Sequence, residues 1–286
     1  MKSFSLFYKD VKGNEGNKCK YTTRLDTFGC GCQHDCKYCY AKSLLDFRGL
    51  WNPIKPVVGN MKQINNAIKK IPRGSIVRLG GMTDCFQPLE LKYRVTYQTI
   101  KLLNKKKIGY LIVTKSSIIA NDEYIKILDK YLAHIQITTT CLDDELYKKL
   151  DYEKASLPSE RIKAILKLQN AGFDVAIRLS PLIEEYIDFD KLNNLGIKKA
   201  QVEFLRVNHW IKQWFNTDYS KFTIKQSGYE HLPLEEKIRI INQIKIPEIS
   251  VCEDENNAYE YWKNNFNPDK EDCCNLRKGE KNENSK

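Results

Sequence analysis

Short apolar runs alternate with amphipathic segments along the first 205 residues. The runs are rich in β-branched and aliphatic side chains, a composition typical of buried strands, and polar or glycine-containing sequence bounds them. Strands are predicted over residues 21–27, 75–79, 110–113, 135–139, 174–179 and 200–205.

Segments with the apolar spacing of helices separate these strands. A helix over residues 61–70, for example, would place Ile64, Ala67 and Ile68 on one inner face. Helices are also predicted over residues 41–47, 93–104, 122–132, 159–170 and 189–194, and from residue 143. Strands alternating with helices predict βαβ units and a parallel sheet, hence the α/β class. Six units are too few for a closed eight-stranded barrel.

The chain changes character after residue 205. Residues 208–215 are strongly aromatic, a helix is predicted over 234–244, and 249–252 favours a further strand. Residues 278–286 are charged and polar and are expected to be a disordered tail. The predicted organisation is therefore an α/β domain over residues 1–205, a C-terminal extension over 206–277 packed on it, and the tail.

The composition is that of a basic globular protein. Hydrophobic residues make up 42% of the 286 residues, the net charge is +11 and the pI is about 9.0. This charge suits a polyanionic partner such as a nucleic acid. The alternative is a lysine-rich composition spread over solvated helix faces.

The first ten residues have no sustained apolar stretch or small-residue cleavage site typical of a signal peptide. The sequence also lacks an uncharged run of about eighteen apolar residues, so no membrane association is expected. We expect a cytoplasmic protein whose ten cysteines stay reduced as ligands or free thiols.

Three cysteines lie close together in the segment that follows the first predicted strand. Cys32, Cys36 and Cys39 have the spacing C-x3-C-x2-C on a glycine-flanked loop. Three thiolates on one tight loop can hold three irons of a 4Fe-4S cluster and leave the fourth iron without a protein ligand. That open iron can accept a small chelating molecule.

Zinc is the main alternative for this loop. Structural zinc takes four ligands, often as two C-x2-C pairs, and Cys36 and Cys39 form one such pair. The adjacent Cys273 and Cys274 would have to supply the other. Three cysteines in eight residues, with Tyr38 between the last two, is not a usual zinc arrangement.

The loop resembles the signature of the radical S-adenosylmethionine (radical SAM) superfamily, including the aromatic residue before the last cysteine. The resemblance implies a partial (β/α)6 TIM-like barrel and an enzyme in which SAM binds the open iron of a 4Fe-4S cluster. An electron from the cluster then splits the sulfonium bond, and a 5'-deoxyadenosyl radical abstracts hydrogen. An electron donor such as flavodoxin or ferredoxin would be a partner.

Further segments are similar to the spore-photoproduct-lyase-like branch, also called DNA repair photolyase-like. They are residues 83–90, 114–116 and 138–140, then Arg161 and 171–172, and the similarity covers roughly residues 25–205. The branch implies a nucleic acid or nucleotide as substrate.

The resemblance also implies roles for individual residues. Cys32, Cys36 and Cys39 would ligate the cluster, and Tyr38 would lie beside the adenine of SAM. The turn at Gly80 and Gly81 would approach the methionine end of SAM with its backbone, which side chains would block.

Other implied contacts lie at the ends of the predicted strands. Thr83 and Lys115 would contact the methionine portion of SAM, the lysine pairing with its carboxylate. Asp84 is either a binding residue or a turn cap. Thr138 or Thr140 would reach the ribose, and Arg178 would point into the mouth of the barrel. Strand packing or solvation is the alternative for these residues.

One position departs from the branch. Spore photoproduct lyase uses a cysteine near the Thr-Asp segment as hydrogen donor, whereas the nearest matching position here is Gly81. Cys85 is the candidate donor in this chain, with a packed thiol as the alternative. This departure puts repair of a thymine dimer in doubt.

The roles of the cysteines outside the loop and the Thr-Asp segment are open. Cys252, Cys273 and Cys274 are interpreted as incidental or locally structural thiols, with a second cluster or zinc site, joined by Cys30, as the alternative. Cys19 is interpreted as an incidental thiol.

His34 is expected at the surface. Trp210 and Trp214 either stack nucleic-acid bases or pack on the barrel.

Two classes of function follow. The first is a radical SAM enzyme, a lyase or a transferase-type enzyme, acting on nucleic acid or a nucleotide, or alternatively on a peptide or small molecule. The second is a zinc-stabilised, basic nucleic-acid-binding module without catalysis.

Overall fold

The structure, a computed structural model, describes residues 9–150 and 152–278. Apart from residue 278, the predicted disordered tail lies outside these residues.

The strands of this part of the chain are β1 (Lys9–Asp10), β2 (Thr23–Leu25), β3 (Phe28–Gly29), β4 (Val57–Val58), β5 (Ile76–Leu79), β6 (Gly109–Thr114), β7 (Ala133–Thr139), β8 (Asp174–Leu182), β9 (Lys199–Phe204), β10 (Ile224–Gln226), β11 (Tyr229–His231) and β12 (Glu248–Val251).

The helices are α1 (Gly13–Lys18), α2 (Tyr40–Leu45), α3 (Met61–Lys69), α4 (Leu89–Tyr93), α5 (Val95–Lys106), α6 (Asp122–Ile125), α7 (Asp144–Leu150), α8 (Pro158–Asn170), α9 (Phe189–Asn193), α10 (His209–Trp214), α11 (Leu234–Ile241) and α12 (Asn256–Tyr261).

One mixed sheet organises the molecule. Its strand order is β1-β2-β5-β6-β7-β8-β9-β12, in which every pair except the antiparallel β1 and β2 is parallel. The predicted α/β class and partial TIM-like barrel are confirmed. Six of the seven parallel strands come from the first 205 residues, and β12 of the extension adds the seventh.

The centre of the sheet is covered on both faces. All seven residues of β7 are buried, as expected of a parallel strand with a helix layer outside and a packed interior inside. Helix α8 contacts β7 and β8 on the outside, and α5 contacts β6. This packing fixes the carboxyl ends of the parallel strands along one edge.

Two predicted helices differ from the observed ones. The helix predicted over 93–104 is α5, which begins two residues later; the short helix α4 precedes it, and the two meet at Arg94, where φ is +55°. The break occurs because the buried Glu90 carboxylate accepts the N–H groups of Thr96 and Tyr97 and so caps α5. The helix predicted over 122–132 stops at Ile125, and the Asp129 side chain then accepts the N–H groups of the following turn.

The extension is part of the sheet. Strand β12 pairs in parallel with β9, so the predicted division after residue 205 does not coincide with an edge of the sheet. Asn267 covers the outer side of β12, because its side chain accepts the Val251 N–H at 2.7 Å and donates to the Val251 carbonyl at 3.0 Å. An amide side chain thus takes the place of a further strand.

Within the described residues, no helix has the length and apolar character needed to cross a bilayer.

Replacing Asn267 with alanine should destabilise the fold. The change leaves a buried N–H and a buried C=O of Val251 without partners, which costs about 1–3 kcal/mol for each group. Urea unfolding followed by circular dichroism measures the loss. Asn265→Ala is the matched control, since Asn265 is exposed and bonds one carbonyl of its own helical turn. Equal stability of the two variants would contradict the capping role.

Candidate active site

A cavity of about 170 Å³ opens at the carboxyl ends of the parallel strands. Its walls come from the turn after β5, the end of β6, Thr138 of β7, Arg178 and Ser180 of β8, and the end of β9. The cysteine loop after β3 forms the remaining wall. Because parallel strands end at the same edge of a sheet, distant segments of the chain converge here.

All three loop cysteines line this cavity. The loop is shaped by two tight turns, in which the Asp35 N–H donates to the Cys32 carbonyl at 3.1 Å and the Cys39 N–H to the Cys36 carbonyl at 3.2 Å. Gly31 is required before the loop: a Cβ there would lie 1.9 Å from the Asn52 carbonyl oxygen.

The three loop thiols do not converge on one point. Within the described residues, the one group of three or more His, Cys, Asp and Glu residues whose ligand atoms all lie within 4.8 Å of one another contains none of the loop cysteines. A mononuclear zinc site needs its thiolates together around one ion. An iron-sulfur cluster instead takes one thiolate per iron, so its ligands lie further apart.

Burial also bears on the charge of these thiols. Burial raises the pKa of Cys32, Cys36 and Cys39, and the carboxylates of Asp84 and Glu153 raise that of Cys32 and Cys36 further. A bound cation would offset this effect and favour the thiolate forms.

Asp84 joins the cysteine loop to two strand ends. Its carboxylate accepts the Lys115 N–H at 2.7 Å and the Thr114 hydroxyl at 2.8 Å, and lies 3.2 Å from Nε2 of His34. Burial raises its pKa, but His34 and the backbone donors outweigh this and lower it overall. His34 is buried, so the prediction of a surface residue was wrong.

The turn after β5 brings backbone N–H groups to the cavity. The buried Asp26 carboxylate accepts the N–H of Gly81 at 2.5 Å and of Met82 at 3.1 Å. Gly80 has φ +81°, and a Cβ there would lie 2.7 Å from the Thr83 carbonyl oxygen. The Thr83 hydroxyl donates to the Phe28 carbonyl at 2.7 Å, so it supports the turn from within.

Tyr38 and Lys115 share one buried carboxylate. The Tyr38 hydroxyl donates to Oε2 of Glu153, and the Lys115 Nζ lies 3.5 Å from the same oxygen and 5.1 Å from the centre of the Tyr38 ring. Arg161 donates to the other oxygen at 2.6 Å. Burial raises the pKa of Glu153, but Arg161 and Lys115 outweigh it and lower the pKa to about 2.

A second ion pair lines the cavity, between the buried Arg178 and the partly buried Glu203. Arg178 donates to Glu203 at 2.6 Å and to the Gln136 side-chain carbonyl at 2.7 Å, while the Ser180 hydroxyl donates to Glu203 at 2.8 Å. Burial raises the pKa of Glu203, but Arg178 and then Arg206 lower it to about 2. The predicted Arg178 thus lines the cavity as one half of an ion pair.

Two predicted site residues do not reach the cavity. The Cys85 side chain is fully buried in the hydrophobic core and does not line the cavity, and this placement argues against its role as hydrogen donor. Strand β7 ends at Thr139, and the Thr140 hydroxyl turns away to donate to the Tyr152 hydroxyl at 2.7 Å. Of the two predicted threonines, only Thr138 lines the cavity.

The sequence profile described as the Radical SAM superfamily matches residues 27–193, more than half of the chain. The chain belongs to the radical SAM superfamily.

Individual relatives are distant. An uncharacterized protein of Methanocaldococcus jannaschii is 26% identical over 235 residues, which cover 77% of this radical SAM protein and 85% of the relative. Spore photoproduct lyase complexed with dinucleoside spore photoproduct superposes with a TM-score of 0.63 at 15% identity, over 87% of this chain and 79% of that one. A double mutant of that lyase, with bound AdoMet and dinucleoside spore photoproduct, superposes with a TM-score of 0.61 at 16% identity, over the same shares of the two chains. These likenesses establish a shared fold.

Sequence reasoning missed several wall residues of this radical SAM protein. Tyr40, Arg78, Glu203 and Arg206 line the cavity. Glu203 and Arg206 could have been predicted, because they lie at the carboxyl end of the last predicted strand, and the other predicted wall residues lie at such strand ends. Glu153 carries no comparable signal, since it lies in an irregular segment and reaches the site only through Tyr38 and Lys115.

The pH dependence of stability should report the ionisation of Asp26. Burial raises its pKa to about 6, so the folded state binds a proton that the unfolded state has already released. Between about pH 4 and about pH 7, wild type should therefore lose up to about 3 kcal/mol of unfolding free energy relative to Asp26→Asn. Denaturant titrations at several pH values measure this difference.

Asp218→Asn is the control, because Asp218 is exposed and the Ser220 N–H lowers its pKa. Wild type should gain stability relative to this control as the pH rises. A difference between wild type and Asp26→Asn that stays constant with pH would show that Asp26 is ionised throughout.

Proposed function

We propose that this protein is a radical SAM enzyme that binds a 4Fe-4S cluster through Cys32, Cys36 and Cys39 and acts on a nucleic acid or nucleotide. The observation that carries the proposal is the convergence of three separated thiols, a glycine turn and a partly buried lysine on one cavity in a member of this superfamily. When bound, the reduced cluster supplies the electron that cleaves SAM to a 5'-deoxyadenosyl radical.

The cavity walls offer SAM a set of distinct contacts. The methionine end of SAM would lie beside the turn at Gly80 and Gly81, and the Lys115 ammonium would pair with its carboxylate. The Tyr38 ring would lie beside the adenine, and the Thr138 hydroxyl would bind the ribose.

The protein also holds these groups in position before SAM arrives. Glu153 fixes the Tyr38 ring and the Lys115 ammonium together, so neither has to be ordered on binding. Asp84 plays the structural part of the two predicted for it, because protein donors already occupy both of its oxygens.

Removing one loop thiol tests the chemistry. Cys36→Ala should lose the brown colour and most of the iron after anaerobic reconstitution, from about four irons per chain, and should no longer cleave SAM when reduced. Iron analysis and chromatography of 5'-deoxyadenosine measure the two effects, with reduced flavodoxin or ferredoxin as electron donor. Cys30→Ser is the matched control, since Cys30 lies beside the loop but does not line the cavity. SAM cleavage by Cys36→Ala would overturn the assignment.

The substrate class rests on the surface beside the cysteine loop. On α10, Ile211 is buried, whereas Trp210 is 38% exposed and its ring stacks on Trp214 at a centroid distance of 6.1 Å. Lys42 of the neighbouring α2 lies 4.9 Å from the Trp214 ring. Exposed rings flanked by cations are typical of single-stranded nucleic-acid binding.

Charge and the structural neighbours support the same class. The net charge of +11 favours a polyanion. The complex of spore photoproduct lyase with dinucleoside spore photoproduct shows that this fold accommodates a nucleotide lesion in another protein. A peptide or small molecule remains the competing substrate, and the following measurement separates the two.

Trp210→Ala should weaken binding of a single-stranded oligonucleotide about tenfold, since one lost base stack costs about 1–3 kcal/mol. Fluorescence anisotropy at several salt concentrations measures the affinity, which should fall steeply as salt rises. Tyr131→Ala is the control: Tyr131 is 77% exposed but precedes β7, at the opposite end of the sheet. Equal affinity of the two variants, or no binding by wild type, would favour the peptide or small-molecule substrate.

A further inference from the structure

A second cavity of about 60 Å³ lies against the first and shares part of its wall, including Tyr40, Arg78 and Arg206. Four cysteines line it that the proposed function does not use. They are Cys19, Cys252, Cys273 and Cys274. We call these four residues the thiol cluster.

The fold brings the thiol cluster together from the two ends of the open sheet. Cys19 ends α1 and leads into β2, near one edge, and Cys252 directly follows β12, at the other. Cys273 and Cys274 lie on the last described segment, which is fixed to the first edge by the 2.5 Å hydrogen bond from the Tyr21 hydroxyl to Asp272. The cluster therefore spans the gap in the barrel.

The thiols lie close to one another. The Cys273 side chain lies beside those of Cys252 and Cys274, and Cys19 packs in the same apolar group as Cys273 and Cys274. All four are free cysteines. Cys30, which would have joined these cysteines in the alternative interpretation of the sequence, does not line this cavity.

Two unpartnered donors face the same cavity. Gln136 is 2% exposed, and its Nε2 has no hydrogen-bond partner; the buried Nε of Arg78 has none either. Neutral thiols are poor acceptors and would leave these N–H groups uncompensated. Thiolate sulfurs bound to a metal are negatively charged and would accept from an amide and a guanidinium.

We propose that the thiol cluster holds a second metal centre through thiolate sulfur, either a zinc ion or an iron-sulfur cluster, with Arg78 and Gln136 donating to its sulfurs. Each thiol releases its proton to solvent as the metal binds. Within the described residues, no three cysteine sulfurs lie within 4.8 Å of one another, so a single zinc ion would have to draw them closer. A centre here joins the two edges of the sheet and should stabilise the barrel.

The test separates this centre from the loop cysteines. In the triple variant Cys32→Ala/Cys36→Ala/Cys39→Ala, purified without oxygen, elemental and sulfide analysis should find either about one zinc per chain or a few irons with matching sulfide. Adding Cys252→Ser or Cys274→Ser should remove most of that metal and lower the melting temperature. Adding Cys141→Ser should leave it in place, because Cys141 is a buried thiol outside both cavities.

The wild-type chain provides a second measurement in case a variant does not fold. Titration with an organomercurial should either release zinc, which a colorimetric chelator detects, or bleach more iron-sulfur absorbance than the loop cluster alone contributes. A metal-free triple variant in which all four thiols of the thiol cluster react with a thiol reagent, or mass-spectrometric detection of a disulfide between Cys252 and Cys273, would overturn the proposal. The outcome is independent of SAM cleavage, so failure of one proposal does not imply failure of the other.

Discussion

The candidate site depends on one buried carboxylate, that of Asp84. It links the turn after β5, the end of β6 and the cysteine loop, and every contact is a hydrogen bond or ion pair inside the protein. A buried carboxylate is tolerated only when such partners offset its desolvation. Because the Asp84 carboxylate needs these hydrogen-bonding partners, three separate segments are constrained to one geometry. The loop thiols face the cavity as a result.

The other buried charges of the cavity follow the same principle. Glu153 with Arg161, and Glu203 with Arg178, are ion pairs whose members would each be costly to bury alone. Such pairs add little net stability compared with apolar packing, but they fix side-chain positions. Here they hold Tyr38, Lys115 and Ser180 around the cavity in one arrangement.

The sequence pattern was sufficient for the parallel strands and for many of the cavity-wall residues at their carboxyl ends, because both depend on local periodicity and on the common direction of parallel strands. It failed where a distant or buried partner decides the structure. Glu90 caps α5 and so moves its start to Val95, and Thr140 leaves the site because Tyr152 accepts its hydroxyl. The membership of Cys19 in the thiol cluster was unpredictable for the same reason, since Cys19 meets the other three cysteines only after the sheet has formed.

The position of β12 has a consequence for how this enzyme scaffold can be divided. The C-terminal extension, which carries the proposed substrate-contacting Trp210, also supplies the last strand of the sheet and the asparagine that covers its edge. Grafting a different specificity segment at residue 205 would thus expose β9 to intermolecular pairing, so chimeras in this family should preserve the strand and exchange only the loops that precede it.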